Sequence, residues 1–120
     1  MQQQSYRELI VWQKAMELVV SVYSFTATFP KEELYGLVSQ MKRAAVSIPS
    51  NIAEGSRKNS GKDTGRFFEI AFGSGAELET QIEICKRVSL GDQTTLASIE
   101  LQLSEIMRIL NTMTQKYRDS

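Results

Sequence analysis

Apolar residues recur at alternating steps of three and four positions in four segments of the chain. This spacing places side chains on one face of an α-helix, and no segment keeps the period of two that a strand would show. The stripe nearest the C-terminus comprises Leu96, Ile99, Leu103, Ile106, Leu110, Met113 and Tyr117. The three earlier stripes comprise Leu9, Trp12, Met16, Val19 and Tyr23, then Leu34, Leu37, Met41, Ala45, Ile48 and Ile52, and finally Phe67, Ala71, Ser74, Leu78, Ile82 and Cys85. The pattern predicts an all-α protein with four helices.

Residues that start and stop helices lie between these segments. Pro30 suits the first position of a helix, and the run from Ser60 to Asp63 resembles a capping box. Gly91 suits a left-handed C-cap, and Asp92 suits an N-cap. We therefore predict helices over residues 6–28, 31–57, 62–89 and 93–117, each boundary being good to about 3 residues.

The connections between the predicted helices are short, so neighbouring helices are expected to run in opposite directions. The predicted fold class is all-α, an up-down-up-down antiparallel four-helix bundle. A chain of 120 residues is long enough for one domain with its own core. We expect that domain to span residues 1–120.

Pro49 lies inside the second segment, where a proline is costly. It has no N–H to donate to the carbonyl of Ala45, and its ring crowds that carbonyl at a cost of ~3 kcal/mol in a helix interior. The helix could stop at Ile48, or it could bend and continue. Because the apolar stripe passes from Met41 to Ile52 in register, we predict a continuous helix 2 with a proline kink.

A row of mostly small polar residues runs beside the apolar stripe of helix 2, and helix 3 contains the run Phe72 to Ala76 with two interior glycines. Each glycine costs about 1 kcal/mol relative to alanine, which close helix contact would offset. The polar row is either a solvated face or a polar seam against a helix of this chain or of a second copy. The glycines mark either close packing or a flexible helix centre. The candidate packing or subunit seam comprises Ser47, Pro49, Asn51, Glu54, Gly73, Ser74 and Gly75.

Charge is balanced over the whole chain but unevenly distributed. There are 14 basic and 14 acidic residues, a balance that disfavours a dedicated nucleic-acid-binding domain. Mid-helix 3 is acidic, whereas the stretch from residue 42 to 66 has an excess of four positive charges. Its basic residues are Lys42, Arg43, Arg57, Lys58, Lys62 and Arg66. This stretch is either a solvated loop or an edge that contacts phosphates. Since no aromatic residue lies between Asn51 and Arg66, base stacking is not expected there and binding should tolerate any sequence.

The residue content disfavours an enzyme. The chain has no histidine and one cysteine, Cys85, which removes His-containing triads, His-ligated di-iron sites and multi-cysteine zinc sites. Cys85 lies in an apolar stripe and is interpreted as a core thiol. We predict no catalytic residue, no metal and no cofactor. The longest uncharged run has 13 residues, shorter than the ~20 of a membrane span, and no signal peptide is visible, so we expect a cytoplasmic protein with no membrane contact.

Three stretches carry a resemblance to a known family: VWQKAMEL, FPKEELYGLVSQMKRAAVSIPSNIAEGSRK and FEIAFGSGAELETQI. They resemble the 23S rRNA intervening sequence proteins, small bacterial four-helix bundles, and the part from Gly36 to Gly55 is the most specific. The resemblance implies a pentameric ring. It also extends to accessory proteins of diversity-generating retroelements, which implies a reverse transcriptase and nucleic acid as partners.

Two hypotheses of function follow. In the first, the protein is a non-enzymatic homo-oligomer, most simply a homopentamer, that acts as an adaptor and contacts RNA or DNA backbone through the basic turn between helices 2 and 3. In the second, it is an oligomeric scaffold that binds a protein partner and has no nucleic-acid role.

Overall fold

The computed structural model describes residues 5–118, which contain four α-helices and no strand. The helices are α1 (Ile10–Thr26), α2 (Ser39–Ser56), α3 (Gly61–Arg87) and α4 (Gln93–Arg118). The prediction of an all-α chain with four helices is confirmed. Helix 1 is shorter than predicted, because residues Tyr6–Glu8 form a separate 3-10 turn before it.

The start of helix 2 differs from the prediction. Lys31–Glu33 form a 3-10 turn and Leu34–Val38 a π-helical turn, and α-helical geometry begins only at Ser39. A π-turn shifts the phase of a helix because its hydrogen bonds span five residues instead of four. As a result Leu34, predicted to face the core, is 47% exposed, while Val38 is buried instead. From Met41 onward the predicted stripe is buried.

Helix α2 continues through Pro49, which lies in its interior and is buried. The helix therefore does not stop at Ile48. It ends at Ser56, and the side-chain hydroxyl of Thr64 on α3 then donates a hydrogen bond to the Gly55 carbonyl at 2.9 Å. This bond ties the last turn of α2 to the start of α3.

The predicted N-caps of α3 and α4 are present, whereas the predicted C-cap of α3 is not. Ser60 accepts a hydrogen bond from the Asp63 N–H at 3.1 Å, and Asp92 precedes α4 and accepts one from Thr94 N–H at 3.4 Å. The predicted C-cap at Gly91 is wrong in position, since Ser89 holds the left-handed position directly after α3, with φ of 55°. Gly91 is also left-handed, with φ of 81°, but lies two residues further along the chain. At the end of α3 the N–H groups of residues 89 and 90 bond its last free carbonyls, which satisfies the helix end without a glycine.

The core face of α1 lies one position away from the predicted stripe. The buried residues are Val11, Ala15, Leu18, Val22 and Phe25. The predicted stripe lies at the edge of the core, where Met16 and Tyr23 are 40% and 45% exposed. Helix α1 carries two neighbouring apolar stripes, so periodicity alone cannot choose between them. Folding leaves the second stripe on the surface beside α2.

The stripes of α3 and α4 are buried largely as predicted. Every member of the α4 stripe is buried or half-buried, whereas on α3 the neighbours Phe68 and Gly75 are more buried than Phe67 and Ser74. A Cβ at Gly75 would collide with the Met107 sulfur, so this glycine lets α3 and α4 approach closely. Each helix packs against two others: α1 and α3 both contact α2 and α4.

Two glycines should respond oppositely to replacement by alanine. At Gly55 a Cβ would lie 2.9 Å from the Cβ of Phe67 and 3.1 Å from the backbone oxygen of Thr64, so Gly55→Ala should lower the free energy of unfolding by about 1–3 kcal/mol. At Gly73 no atom of this chain lies within 4 Å, so Gly73→Ala should raise it by about 1 kcal/mol through helix propensity. Urea denaturation measures both. Equal stability of the two variants would contradict the packing described for Gly55.

Candidate nucleic-acid interface and helix seam

Four of the six predicted basic residues lie together at the turn between α2 and α3. Arg57 and Lys58 follow α2, and Lys62 and Arg66 lie in the first two turns of α3, and all four are exposed. Arg66 pairs with Asp63 at 3.7 Å, which contributes little on an exposed surface. Within residues 5–118 the other three form no ion pair, so no carboxylate of that part of the chain neutralises their charge.

Lys42 and Arg43 do not join this group. They lie roughly 20 Å from Arg57 along α2, at a rise of about 1.5 Å per residue. The ammonium of Lys42 lies 4.6 Å from the ring centroid of Tyr23 on α1, a cation–π contact that stabilises the α1–α2 packing. Arg43 is exposed. The single basic edge expected from the sequence is therefore two separate regions in the fold.

The fold brings three further cations to the turn. Arg7 and Arg57 both lie beside the ring of Tyr6, at 5.7 and 5.6 Å from its centroid. Lys116 and Arg118 come from the end of α4, where Arg118 lines a recess of about 370 Å³ together with Lys62 and other residues. Sequence reasoning missed these three because they lie about 50 positions from the turn; their placement near the chain ends gave no local signal.

We name this region the basic end of the molecule. Its basic residues are Arg7, Arg57, Lys58, Lys62, Arg66, Lys116 and Arg118, and its acidic residues are Glu8, Glu54, Asp63 and Glu69. Among residues 5–118, its seven positive and four negative side chains leave an excess of three positive charges. Because the whole chain is neutral, this excess is matched by negative charge elsewhere, including Glu77, Glu79 and Glu83 on α3.

Aromatic rings lie among these cations. Lys58 and Arg66 approach the ring of Phe67 at 4.9 and 5.8 Å from its centroid, and Lys116 approaches Tyr117 at 5.6 Å. The expectation that stacking is absent here considered only residues 51–66, which contain no aromatic residue. Tertiary folding places Tyr6, Phe67 and Tyr117 from outside that segment beside the turn.

Three of the predicted seam residues meet between α2 and α3. The hydroxyls of Ser47 and Ser74 are hydrogen-bonded at 2.7 Å. The side-chain amide of Asn51 donates to the Ser47 carbonyl at 2.8 Å and to the Ser47 hydroxyl at 3.0 Å. All three residues are half-buried, so this part of the polar row contacts another helix of the same chain.

The remaining seam residues are not part of that network. Glu54 and Gly73 are exposed, and Gly75 packs against α4. Pro49 faces α1, where it helps to line a groove of about 340 Å³ between α1 and α2. The groove comprises Tyr6, Trp12, Met16, Val19, Val46, Pro49, Ser50 and Ala53. It is apolar because the second stripe of α1 forms one wall.

The candidate reactive groups are limited. Cys85 is fully buried, and burial raises the pKa of its thiol to about 11, which keeps the sulfur protonated and a poor nucleophile at neutral pH. In the described part of the chain, no three cysteine, aspartate or glutamate side chains gather as a metal site. None of the helices described between residues 5 and 118 has an apolar stretch long enough to cross a membrane.

These features define a small all-α protein whose helices pack as in a helical bundle and whose cations gather at one end. The family model for the 23S rRNA-intervening sequence protein matches residues 7–112, and the chain belongs to that family. A crystal structure of a protein of unknown function from the S23 ribosomal protein family of Bacteroides thetaiotaomicron is similar, with a TM-score of 0.78 and 24% sequence identity. The similarity covers 88% of this chain and 98% of that one. No curated protein matches the chain.

The contact between Ser47 and Ser74 can be tested by a double-mutant cycle. Each single change to alanine leaves a half-buried polar group without its partner, so we expect the coupling free energy between the two positions to be about 1 kcal/mol. Thermal and urea unfolding of the wild type, both single variants and the double variant measure it. Ser50, whose hydroxyl bonds only the carbonyl of Val46 on its own helix, is the control, and Ser50→Ala should show no coupling to Ser74→Ala. A coupling energy of zero for Ser47 and Ser74 would refute the seam.

Proposed function

We propose that this protein is a non-enzymatic homo-oligomer that contacts RNA or DNA backbone through its basic end. The observation that carries the proposal is the excess of three positive charges among the described residues of that end, on a chain with no net charge. Arg57, Lys58 and Lys62 are exposed cations on a turn held in place by the Ser60 cap and the bond from Thr64 to Gly55. Loops fixed on helices commonly present binding residues in this way.

The physical basis of binding would be neutralisation of phosphates by lysine and arginine side chains. Each contact releases condensed counterions, so affinity falls steeply as salt rises. Such contacts carry no sequence information, and discrimination between sequences would need contacts to bases. The name of the family refers to 23S rRNA, which favours a structured RNA as the first probe.

We propose that copies of the chain associate as a pentameric ring, the ring size being the one that the family resemblance implies. The α1–α2 groove supports this, because Met16 and Val46 on its two sides are exposed apolar residues that a second copy would cover. A closed ring would present the basic end once in each copy. Several weak phosphate contacts would then act together and raise the overall affinity.

We also propose that the helices run up-down-up-down and that α2 bends at Pro49. Residue pairs between α2 and α3 support opposite directions, because numbers rise along one helix as they fall along the other. These pairs are Met41 with Cys85, Ser47 with Ser74, and Gly55 with Thr64. The missing N–H of Pro49 supports a bend. A crystal structure with a straight α2, or with neighbouring helices parallel, would contradict these two proposals.

The second candidate function is an oligomeric scaffold for a protein partner, without nucleic acid. The apolar lining of the α1–α2 groove favours it, since a partner helix could lay its apolar face there. If the wild type binds no nucleic acid but still self-associates, that result would favour this alternative. Under either function the protein has no catalytic role, and we place it in the cytoplasm.

Replacement of Arg57, Lys58 and Lys62 by alanine should weaken binding to structured RNA without unfolding the protein. Each lost phosphate contact should flatten the salt dependence of log affinity by roughly 0.7 to 0.9. Stability should fall by no more than ~2 kcal/mol, the cost of losing cation–π contacts of Arg57 and Lys58 on an exposed surface. Gel-shift titration at two salt concentrations measures the binding.

A matched variant removes the same charge from other surfaces. Lys31, Arg43 and Arg108 are all exposed and lie away from the basic end, so their triple replacement by alanine should leave the salt slope unchanged. Equal losses in both triple variants would show that only net charge matters. Absence of binding by the wild type at low salt would rule out the nucleic-acid function.

Self-association should depend on the α1–α2 groove. Light scattering after size exclusion should give the wild type several times the chain mass of 13.6 kDa, and five times that mass for a pentamer. Val46→Glu places a charge in the groove, which must be desolvated on contact, so this variant should dissociate toward the monomer. Leu101→Glu, at an exposed apolar position on α4, is the control and should keep the wild-type mass. A monomeric wild type at micromolar concentration would be inconsistent with the proposal.

A further inference from the structure

A second recess opens at the basic end, between the start of α1, the α2–α3 turn and the end of α4. Its volume is about 380 Å³, within the range of small-ligand pockets, which is about 300–1,000 Å³. Its lining combines apolar side chains, two tyrosines and polar residues, of which the exposed Lys58, Asn59 and Ser60 form its rim. The lining residues are Tyr6, Leu9, Ser56, Lys58, Asn59, Ser60, Gly61, Thr64, Phe68, Met113 and Tyr117.

The two tyrosines of this recess each pack against another aromatic ring. Tyr6 packs edge-to-face on Trp12, with ring centroids 5.4 Å apart, and Tyr117 packs edge-to-face on Phe68 at 5.6 Å. Both tyrosines remain half-buried, so part of each side chain is open to the recess. Anchored rings of this kind lose little conformational entropy when a flat ligand stacks on them.

The rim supplies hydrogen-bonding groups and charge. Asn59 is exposed, and its side-chain amide makes no hydrogen bond to any residue between 5 and 118. An amide carries both donors and an acceptor and can bond the edge of a base. Lys58 lies on the same rim, and Lys62 is exposed in the first turn of α3. Cations thus flank a partly aromatic recess.

We propose that this recess receives an unpaired base of single-stranded nucleic acid while Lys58 and Lys62 contact the flanking phosphates. The inference rests on the proposed function and deepens it by specifying that the bound nucleic acid is single-stranded. An aromatic recess can accept a base only when that base is unstacked, which single strands and loops allow and a duplex does not. Every base has a π-face, so stacking here tolerates sequence. Single strands of RNA and of DNA both carry unpaired bases flanked by phosphates, so either could bind in this way.

The test uses the full-length oligomeric protein and fluorescence polarisation with labelled oligo(rU), oligo(dT) and an RNA duplex of equal length. The wild type should bind the single strands about fivefold or more tightly than the duplex. Tyr6→Leu should lose about fivefold or more for single strands and leave duplex binding unchanged. Because Arg7 and Arg57 lie beside the Tyr6 ring and Tyr6 also lines the α1–α2 groove, the salt slope and the oligomeric mass of this variant are measured alongside. Tyr6→Phe should restore binding. Comparison of the affinities for oligo(rU) and oligo(dT) shows whether the recess prefers RNA or DNA.

Tyr35→Leu is the matched control, since Tyr35 is 92% exposed and lies beyond the far end of α2. It should bind like the wild type. If Tyr6→Leu disturbs the fold, as judged by circular dichroism and Trp12 fluorescence, Asn59→Ala and photocrosslinking of 5-iodouridine oligomers to Tyr6 or Tyr117 supply a second measurement.

The outcomes separate the two proposals. Equal affinity for single strands and duplex, or unchanged single-strand binding in Tyr6→Leu and Asn59→Ala without crosslinks to either tyrosine, would overturn the base recess. If the triple alanine variant of Arg57, Lys58 and Lys62 still loses affinity in that case, the backbone-contact function stands. No binding of any probe by the wild type overturns both.

Discussion

The close contact between α2 and α3 at Gly55 holds the basic end in place. The Cβ that any other residue would carry at this position lies 2.9 Å from the Cβ of Phe67, and the Thr64 hydroxyl bonds the Gly55 carbonyl at 2.9 Å. Packed interiors tolerate such changes poorly, because neighbouring atoms have no free space to move into. The turn between the helices is short, so this contact also fixes where Arg57 and Lys58 leave α2.

The packing of the four helices leaves the second apolar stripe of α1 on the surface of the chain. Ala15 and Leu18 turn into the core, which leaves Trp12, Met16 and Val19 beside α2. With Pro49 they form an apolar groove on the outside of the molecule. Helix 1 is therefore more apolar than one core face requires, and burial of that surplus against a second copy would remove apolar surface from water.

Charge separation is the main electrostatic feature of the molecule. Neutrality over the whole chain hides an excess of positive charge at one end and acidic side chains along α3. The exposed ion pairs, such as Arg118 with Glu69 at 3.7 Å, are worth little in water and leave this separation largely intact. The cations at the basic end lie beside Tyr6, Phe67 and Tyr117, so charge and aromatic surface are offered together.

Sequence alone determined the number of helices, the buried stripe of α4 and the buried part of helix 2 from Met41. It also determined the continuity of α2 through Pro49 and the Ser60 cap. Each of these features depends on residues within a few turns of one another. Only the tertiary structure decided which stripe of α1 faces the core, since both are apolar. It alone separated Lys42 and Arg43 from the turn and brought Arg7, Lys116, Arg118 and three aromatic rings to it. These positions are distant in sequence, and packing between helices, which local periodicity does not encode, makes them neighbours.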